Sequence, residues 1–273
     1  MLIKAANVCR KPDLRALGRA SARRPRQEDI PSPGHEPQAS WVIKMFLVIF
    51  EVHPKKEQFE LYLALAKDLK PILQGIDGFV DNERFESARR PGWILSHSTW
   101  RDEKSVVRWR TVAEHHETQQ RGRDDVFQDY HLRVGEVVSD TAPPDGVPLA
   151  EQRLDETEVG AGKFATLTEV LPASTRAGSL APSGLADRLS LDRTRSALID
   201  HDVFSSIYNA GKLALLATWR DRSSAEQFEP QLLTEPDTVR HRVVRIVRDY
   251  GMFDRRESPQ YYPDIPRGPT THR

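Results

Sequence analysis

His115 lies six residues after Trp109, and Tyr130 and Arg133 open a later β-rich run. An imidazole with an unperturbed pKa of about 6.5 is a serviceable general base near neutrality. A tyrosine hydroxyl and a guanidinium at the start of a strand could hold an anionic oxygen through charge-assisted hydrogen bonds. Each group also has a plainer reading. Trp109 falls in a helical apolar stripe, where aromatic residues are usually core. His115 adjoins His116, and one of an adjacent pair must point away. His97 alternates with Trp93, Leu95 and Thr99 and so shares their face, either lining a cavity or sitting hydrogen-bonded in a core. Asp124 and Asp125 beside Arg123 read as a solvated charge cluster, not as metal ligands.

The elements that must position these groups occur twice. Residues 81–109 and 200–228 align without a gap at an offset of 119. Asp81/Asp200, Phe85/Phe204, Ser87/Ser206, Gly92/Gly211, Thr99/Thr218, Trp100/Trp219, Asp102/Asp221 and Ser105/Ser224 are identical pairs. Upstream, Glu51 and Pro54 recur as Glu169 and Pro172 at an offset of 118. Downstream, the stretch 132–140 resembles 241–249, which pairs Arg133 with Arg242 and favours a structural ion pair for both. Two tandem copies suit a two-fold pair of small domains in one chain, a homodimer made covalent, rather than a solenoid.

Within the first copy, Met45–His53 is β-rich and apolar, and Pro54 is placed to open a helix. Phe59, Tyr62, Leu63, Ala66, Leu69 and Leu73 form one apolar stripe, closed by Gly75. Gly78–Ser87 and Trp93–Trp100 read as strands around a turn at Pro91 and Gly92. Asp102 suits the N-cap of a helix carrying Val106, Trp109 and Ala113, followed by a helical piece at Glu114–Arg121 and a strand at Tyr130–Val138. The order β-α-β-β-α-β is a ferredoxin-like unit. The second copy reads as strand 163–171, helix near 185–198, strands near 203–208 and 213–219, helix near 224–233 and strand 242–249. It has lost most of the second helical piece, and Phe228 stands where the first has Trp109.

The domain reading is therefore a disordered extension at 1–44, a first domain at 45–140, a polar linker at 141–161, a degenerate second domain at 162–250 and an extended tail at 251–273. Met45, where the repeat unit begins, is an alternative start. The fold class is α+β, two tandem ferredoxin-like units forming an intrachain α+β barrel. Charge is balanced at 40 basic and 40 acidic residues, so nothing global points to nucleic acid or an anionic membrane. One cysteine excludes an intrachain disulfide framework, and no apolar run approaches the roughly 18–20 residues of a membrane span. A cytoplasmic location is the resulting expectation. An intrachain pseudo-dimer is expected, with further self-association open.

The run Met45-Phe-Leu-Val-Ile-Phe-Glu-Val, then Gly78-Phe-Val-Asp-Asn-Glu-Arg-Phe-Glu-Ser, Pro91-Gly-Trp-Ile-Leu-Ser-His-Ser-Thr-Trp-Arg-Asp-Glu, Trp109, His115, Gly122 with Arg123, and Tyr130 resembles the antibiotic biosynthesis monooxygenase family. The resemblance implies a dimeric α+β barrel. It also implies, in some members, oxidation of polycyclic phenols by molecular oxygen without metal or flavin. In that chemistry the substrate supplies the electrons. The protein must deprotonate it, hold it flat and exclude bulk water, which calls for one base, aromatic walls and a dry cavity. The resemblance makes Trp109 a wall and His115 the base, and Phe50, His97, Tyr130 and Arg133 are the candidate substrate contacts. The implied partners are a small aromatic or quinone-like molecule and O2, with no cofactor.

A second activity that the resemblance implies is haem degradation. It asks for an asparagine on the first strand and a histidine ten residues beyond the helix-two tryptophan. Those positions hold Phe50 and Gln119, although a shifted register could bring in His115 or His116. A non-catalytic binding or stress-related protein and a purely structural pair are the remaining readings. A cavity between sheet and helices of the first copy separates them, because a structural pair would fill it with Phe50, Phe79, Phe85 and Trp109.

Overall fold

The apolar run from Met45 forms β1 (Phe46–Pro54). Pro54 ends that strand instead of opening the helix. A 3-10 turn at Lys56–Gln58 intervenes, and α1 runs from Phe59 to Gln74. A proline at a strand's last position withholds no ladder donor that the sheet needs. β2 (Phe79–Ser87) and β3 (Ile94–Trp100) are joined by a turn in which Gly92 has φ of 81°. Its repeat partner Gly211 has φ of 82°, so the identity reflects a backbone conformation that a Cβ would strain.

Asp102 caps α2 (Glu103–Thr111), its carboxylate accepting from the Ser105 N–H at 2.8 Å. Val112 then turns extended, with φ −62° and ψ 131°, and α3 runs Ala113–Arg121. Ala113 therefore belongs to the second helix, not the first. A π turn at Gly122–Val126 leads into β4 (Phe127–Asp140), longer at both ends than its apolar core suggests.

The computed structural model describes residues 42–173, 181–230 and 238–259. The expectations for residues 1–41, 174–180, 231–237 and 260–273 lie outside these. The second half comprises β5 (Phe164–Leu171), α4 (Leu185–Arg188), β6 (Leu198–Ser206), β7 (Leu213–Trp219), α5 (Arg222–Glu226) and β8 (Thr238–Gly251). The helix expected near 185–198 is a single turn. It stops where Ser190 takes φ of 58°, a left-handed conformation that ends helices. Asp221 caps α5 on the Ser224 N–H at 2.8 Å, repeating the Asp102 cap.

The eight antiparallel strands close into one barrel in the order β1-β3-β2-β6-β7-β5-β8-β4. The halves meet along two seams, a short one between β2 and β6 and a long one between β4 and β8. Leu47, Ile49, Phe85 and Leu95 meet Leu167, Phe204, Leu216 and Ile246 in a core drawn from both halves. Two buried ion pairs lie within it, one in each half. Arg133 pairs with Glu51 and Arg242 with Glu169.

Three segments differ from expectation. Ile43, inside the stretch expected to be disordered, forms a parallel bridge with Leu149. The 141–161 connection is strapped to the barrel, with the Gln152 and Arg153 N–H groups donating to the Glu136 carboxylate at 2.5 and 2.9 Å. Residues 252–259 fold back in turns instead of extending. There Glu257 accepts from Thr157, Glu158 and Asp249 at 2.6–2.7 Å.

Candidate functional site

Strand alternation decides which side chains the helices cover. On β3, Leu95 and Thr99 join the barrel interior, while Ser96 and Ser98 face outward under α1–α3. On β2, Phe85 points in, and Asn82 and Arg84 point out. On β1, Val48 and Phe50 point out, as do Tyr130, Leu132 and Val134 on β4. Between this face and the three helices lies a cavity with about 200 Å³ open to the centres of water molecules. Phe50 and Trp109 line this cavity without filling it. Phe79 packs on Trp100 at 5.5 Å, and Phe85 lies in the barrel core.

Four of the six residues singled out by the sequence meet here: Phe50, Trp109, His115 and Tyr130. Two do not. Arg133 is three residues from Tyr130, an odd spacing that puts it on the opposite face of β4. It is buried in the barrel against Glu51 and Thr218, away from this cavity. His97 is also inside the barrel, stacked near Phe85 at 5.8 Å and 3.5 Å from a Glu169 oxygen.

The break at Val112 builds the helical side of the site. Residues six apart on one helix point about 240° apart, so Trp109 and His115 could not meet on a continuous helix. With the break, their rings stack with centroids 3.9 Å apart and planes 15° apart. His115 Nδ1 lies 2.9 Å from the Trp109 carbonyl, and because a carbonyl only accepts, that nitrogen carries the proton. Nε2 then accepts from the Gln119 amide at 3.3 Å. Burial pushes this imidazole down to about 4, the Trp109 carbonyl opposing. The ring is neutral at pH 7, well below the ordinary histidine range.

At the far wall, the Tyr130 hydroxyl accepts from Arg123 at 2.8 Å and from Arg255 at 2.5 Å. With both lone pairs engaged, it can offer a ligand only its proton. Burial, reinforced by Tyr130, pushes the neighbouring Tyr250 phenol up to about 12, so Tyr250 stays protonated at neutral pH. Tyr62 and Arg84 complete the lining from α1 and β2. Burial raises the Tyr62 phenol, with Arg84 opposing.

Among the described residues, the matching positions of the second half are packed instead. Arg84, Ser96, Ser98 and Trp109 correspond at the offset of 119 to Val203, Leu215, Ala217 and Phe228. All four belong to one packed apolar cluster, with Phe228 on Trp219 at 5.7 Å. This contrast was readable in the sequence and is the signal that the motif search missed. Polar residues recurring on a strand face that helices must cover mark a lined cavity, and apolar ones mark a core. Arg84 stands out by no motif spacing, and Tyr62 sits in the apolar stripe of α1.

Residues 45–121 match the sequence profile of the family described as Antibiotic biosynthesis monooxygenase. A protein of Pyricularia oryzae, Jasmonate monooxygenase ABM, is 42% identical over 224 residues, spanning 80% of this chain and 99% of that relative. The chain belongs to the antibiotic biosynthesis monooxygenase family. Among solved structures, an aldoxime dehydratase is 12% identical, with a TM-score of 0.48 over 75% of this chain and 82% of that one. An anthrone oxidase-like protein is 11% identical, with a TM-score of 0.31 over 81% and 98%. At these scores neither bears on the chemistry of this chain. The antibiotic biosynthesis monooxygenase match contains α1–α3 and β1–β3, hence Phe50, Trp109 and His115. The wall from Tyr130 to Arg255 lies beyond it. In this family member the cavity does not fit haem ligation. Gln119 stands ten residues past Trp109, and the imidazole lining the cavity lies flat on an indole with both nitrogens bonded.

Proposed function

We propose that this chain is a monooxygenase that binds one small apolar molecule beneath α1–α3 and oxygenates it there without a resident cofactor. The cavity carries the reading. It pairs an indole wall and a buried neutral imidazole with phenol donors opposite, and among the described residues the matching positions of the other half form a packed apolar cluster. A dry site of this kind can hold a phenol or enol flat, take its proton and exclude water. The name of the Pyricularia oryzae relative supports monooxygenation as the reaction class. We read the two halves as ferredoxin-like units, the second retained as the partner that closes the barrel. The repeated element order and the two seams support this.

Electron balance sets the test. A hydroquinone or anthrone gives up both electrons needed to reduce one atom of O2 to water. A substrate without such electrons needs an external two-electron donor. Oxygen uptake should therefore be measured with anthrones, hydroquinones and jasmonate, with and without NADPH, and 18O incorporation followed by mass spectrometry. Uptake and labelling that disappear in Trp109→Ala support the reading. No labelled product from any member, with the protein folded, rejects it.

A further inference from the structure

The mechanism proposed above leaves Arg84 and Tyr62 unused, and their state is unusual. Tyr62 is only 6% exposed, and its hydroxyl lies beside the Arg84 guanidinium without a well-formed hydrogen bond. Arg84 Nε is likewise buried without a partner, and among the described residues no carboxylate pairs with this guanidinium. Both line the cavity, from α1 and β2, beside Asn82 and Ser96. Buried donors left unsatisfied cost free energy, so a native pair of them calls for a missing acceptor. In the second half, Arg84 is replaced by Val203 within a packed core, so the fold does not require a cation at this position.

We propose that Arg84 and Tyr62 form an anion-binding subsite that takes the carboxylate of the substrate, making the enzyme selective for small apolar carboxylic acids. A carboxylate accepts from the guanidinium fork and from the phenol at once, satisfying both orphaned donors. The apolar remainder then extends along Val48, Leu132 and Trp109 toward His115. This rests on the proposed function in placing the substrate in this cavity. It adds that Arg84 and Tyr62 are positioning residues, which touch the anionic end and not the oxygenated carbon.

The experiment is a binding titration by calorimetry with no turnover, on the full chain. Jasmonate, decanoate and 2-naphthoate are each compared with their methyl esters, for wild type, Arg84→Gln, Arg84→Lys and Tyr62→Phe. The expected result is at least one acid binding wild type roughly ten-fold or more tighter than its ester. Arg84→Gln should weaken that acid by roughly 10- to 100-fold, as a charge-assisted bond is worth, and leave the ester unchanged. Arg84→Lys should recover part of the preference, and Tyr62→Phe should lose a smaller part. Should Arg84→Gln fail to fold, Tyr62→Phe carries the comparison. If no acid outbinds its ester, or the preference survives Arg84→Gln and Tyr62→Phe, the subsite is wrong. Arg84-dependent binding of acids with no oxygen uptake would sink the oxygenase reading alone. Uptake with neutral hydroquinones that Arg84→Gln does not alter, with no acid preference, would sink the subsite alone.

Discussion

Arg133 Nη1 donates to Thr218 Oγ1 at 2.7 Å, joining a residue of the first repeat to one of the second. The reciprocal bond runs from Arg242 to Thr99 at 2.9 Å. Ser87 on Asp202, at 2.8 Å, is likewise answered by Ser206 on Glu83, at 2.5 Å. The repeated polar residues are thus stitches between halves. Arg133→Met should destabilise the chain by about 3–5 kcal/mol, because it leaves Glu51 buried with a partner missing. Arg242→Met should cost a similar amount through Glu169. Urea unfolding measures both. Arg133→Met should leave ligand binding in the cavity intact, and a selective loss of binding at unchanged stability would contradict its placement.

Filling the cavity should separate function from stability. Ser96→Leu installs the residue that the second half carries at Leu215. Ligand affinity should fall by at least roughly ten-fold by exclusion. The thermal midpoint should hold or rise, since a leucine adds apolar burial where there is room. A large drop in midpoint would show that the space is smaller than the geometry indicates.

Trp109 and Phe228 are repeat partners with different work. Phe228→Ala should cost about 3–5 kcal/mol, as a buried phenylalanine does, and leave catalysis in place. Trp109→Ala should abolish oxygen uptake and remove the stacking surface of His115. Equal effects of the two substitutions on turnover would remove the distinction between the halves.

His115 sets a pH dependence of defined sign. Its folded value of about 4 lies below the unfolded value of about 6.5. Between these values the unfolded chain binds a proton that the folded chain refuses. Stability is therefore full above pH 6.5 and falls as pH drops through this window. His241, also held at about 4 by burial, adds to the same slope. The test is a difference: thermal midpoint against pH should be flatter between 6.5 and 4 in His115→Gln than in wild type. As a base, His115 is already neutral at pH 6, so turnover should show no inflection near 6.5 from this residue. If it takes the substrate's proton, His115→Ala should lower turnover by roughly 10²–10⁴-fold. An inflection near 6.5 that vanishes in His115→Gln would overturn the buried, neutral assignment.

Much of the strand and cap pattern was legible in the sequence because it rests on local rules. Asp102 reads as a cap and Gly92 as a turn residue, because each meets a local backbone demand, and the structure repeats both at Asp221 and Gly211. The short α4 was not legible, since one residue, Ser190, takes a left-handed conformation that its type only tolerates. Of the residues expected at the site, Trp109, His115, Phe50 and Tyr130 line the cavity, and Arg133 and His97 lie inside the barrel instead. Strand parity excludes Arg133 from the face that carries Tyr130, but parity alone cannot say which face of β3 the helices cover, so His97 required the barrel. The meeting of Trp109 with His115 needed the break at Val112, which is a tertiary outcome and not a propensity.

The unequal filling of the two halves has a consequence for how the chain responds to ligand. A pair of identical subunits would present two equivalent cavities that could influence one another across the seams. Here one is built and its counterpart is occupied permanently by Val203, Leu215, Ala217 and Phe228. Saturation of this cavity should follow a simple hyperbola with one molecule bound per chain, without cooperativity between the halves.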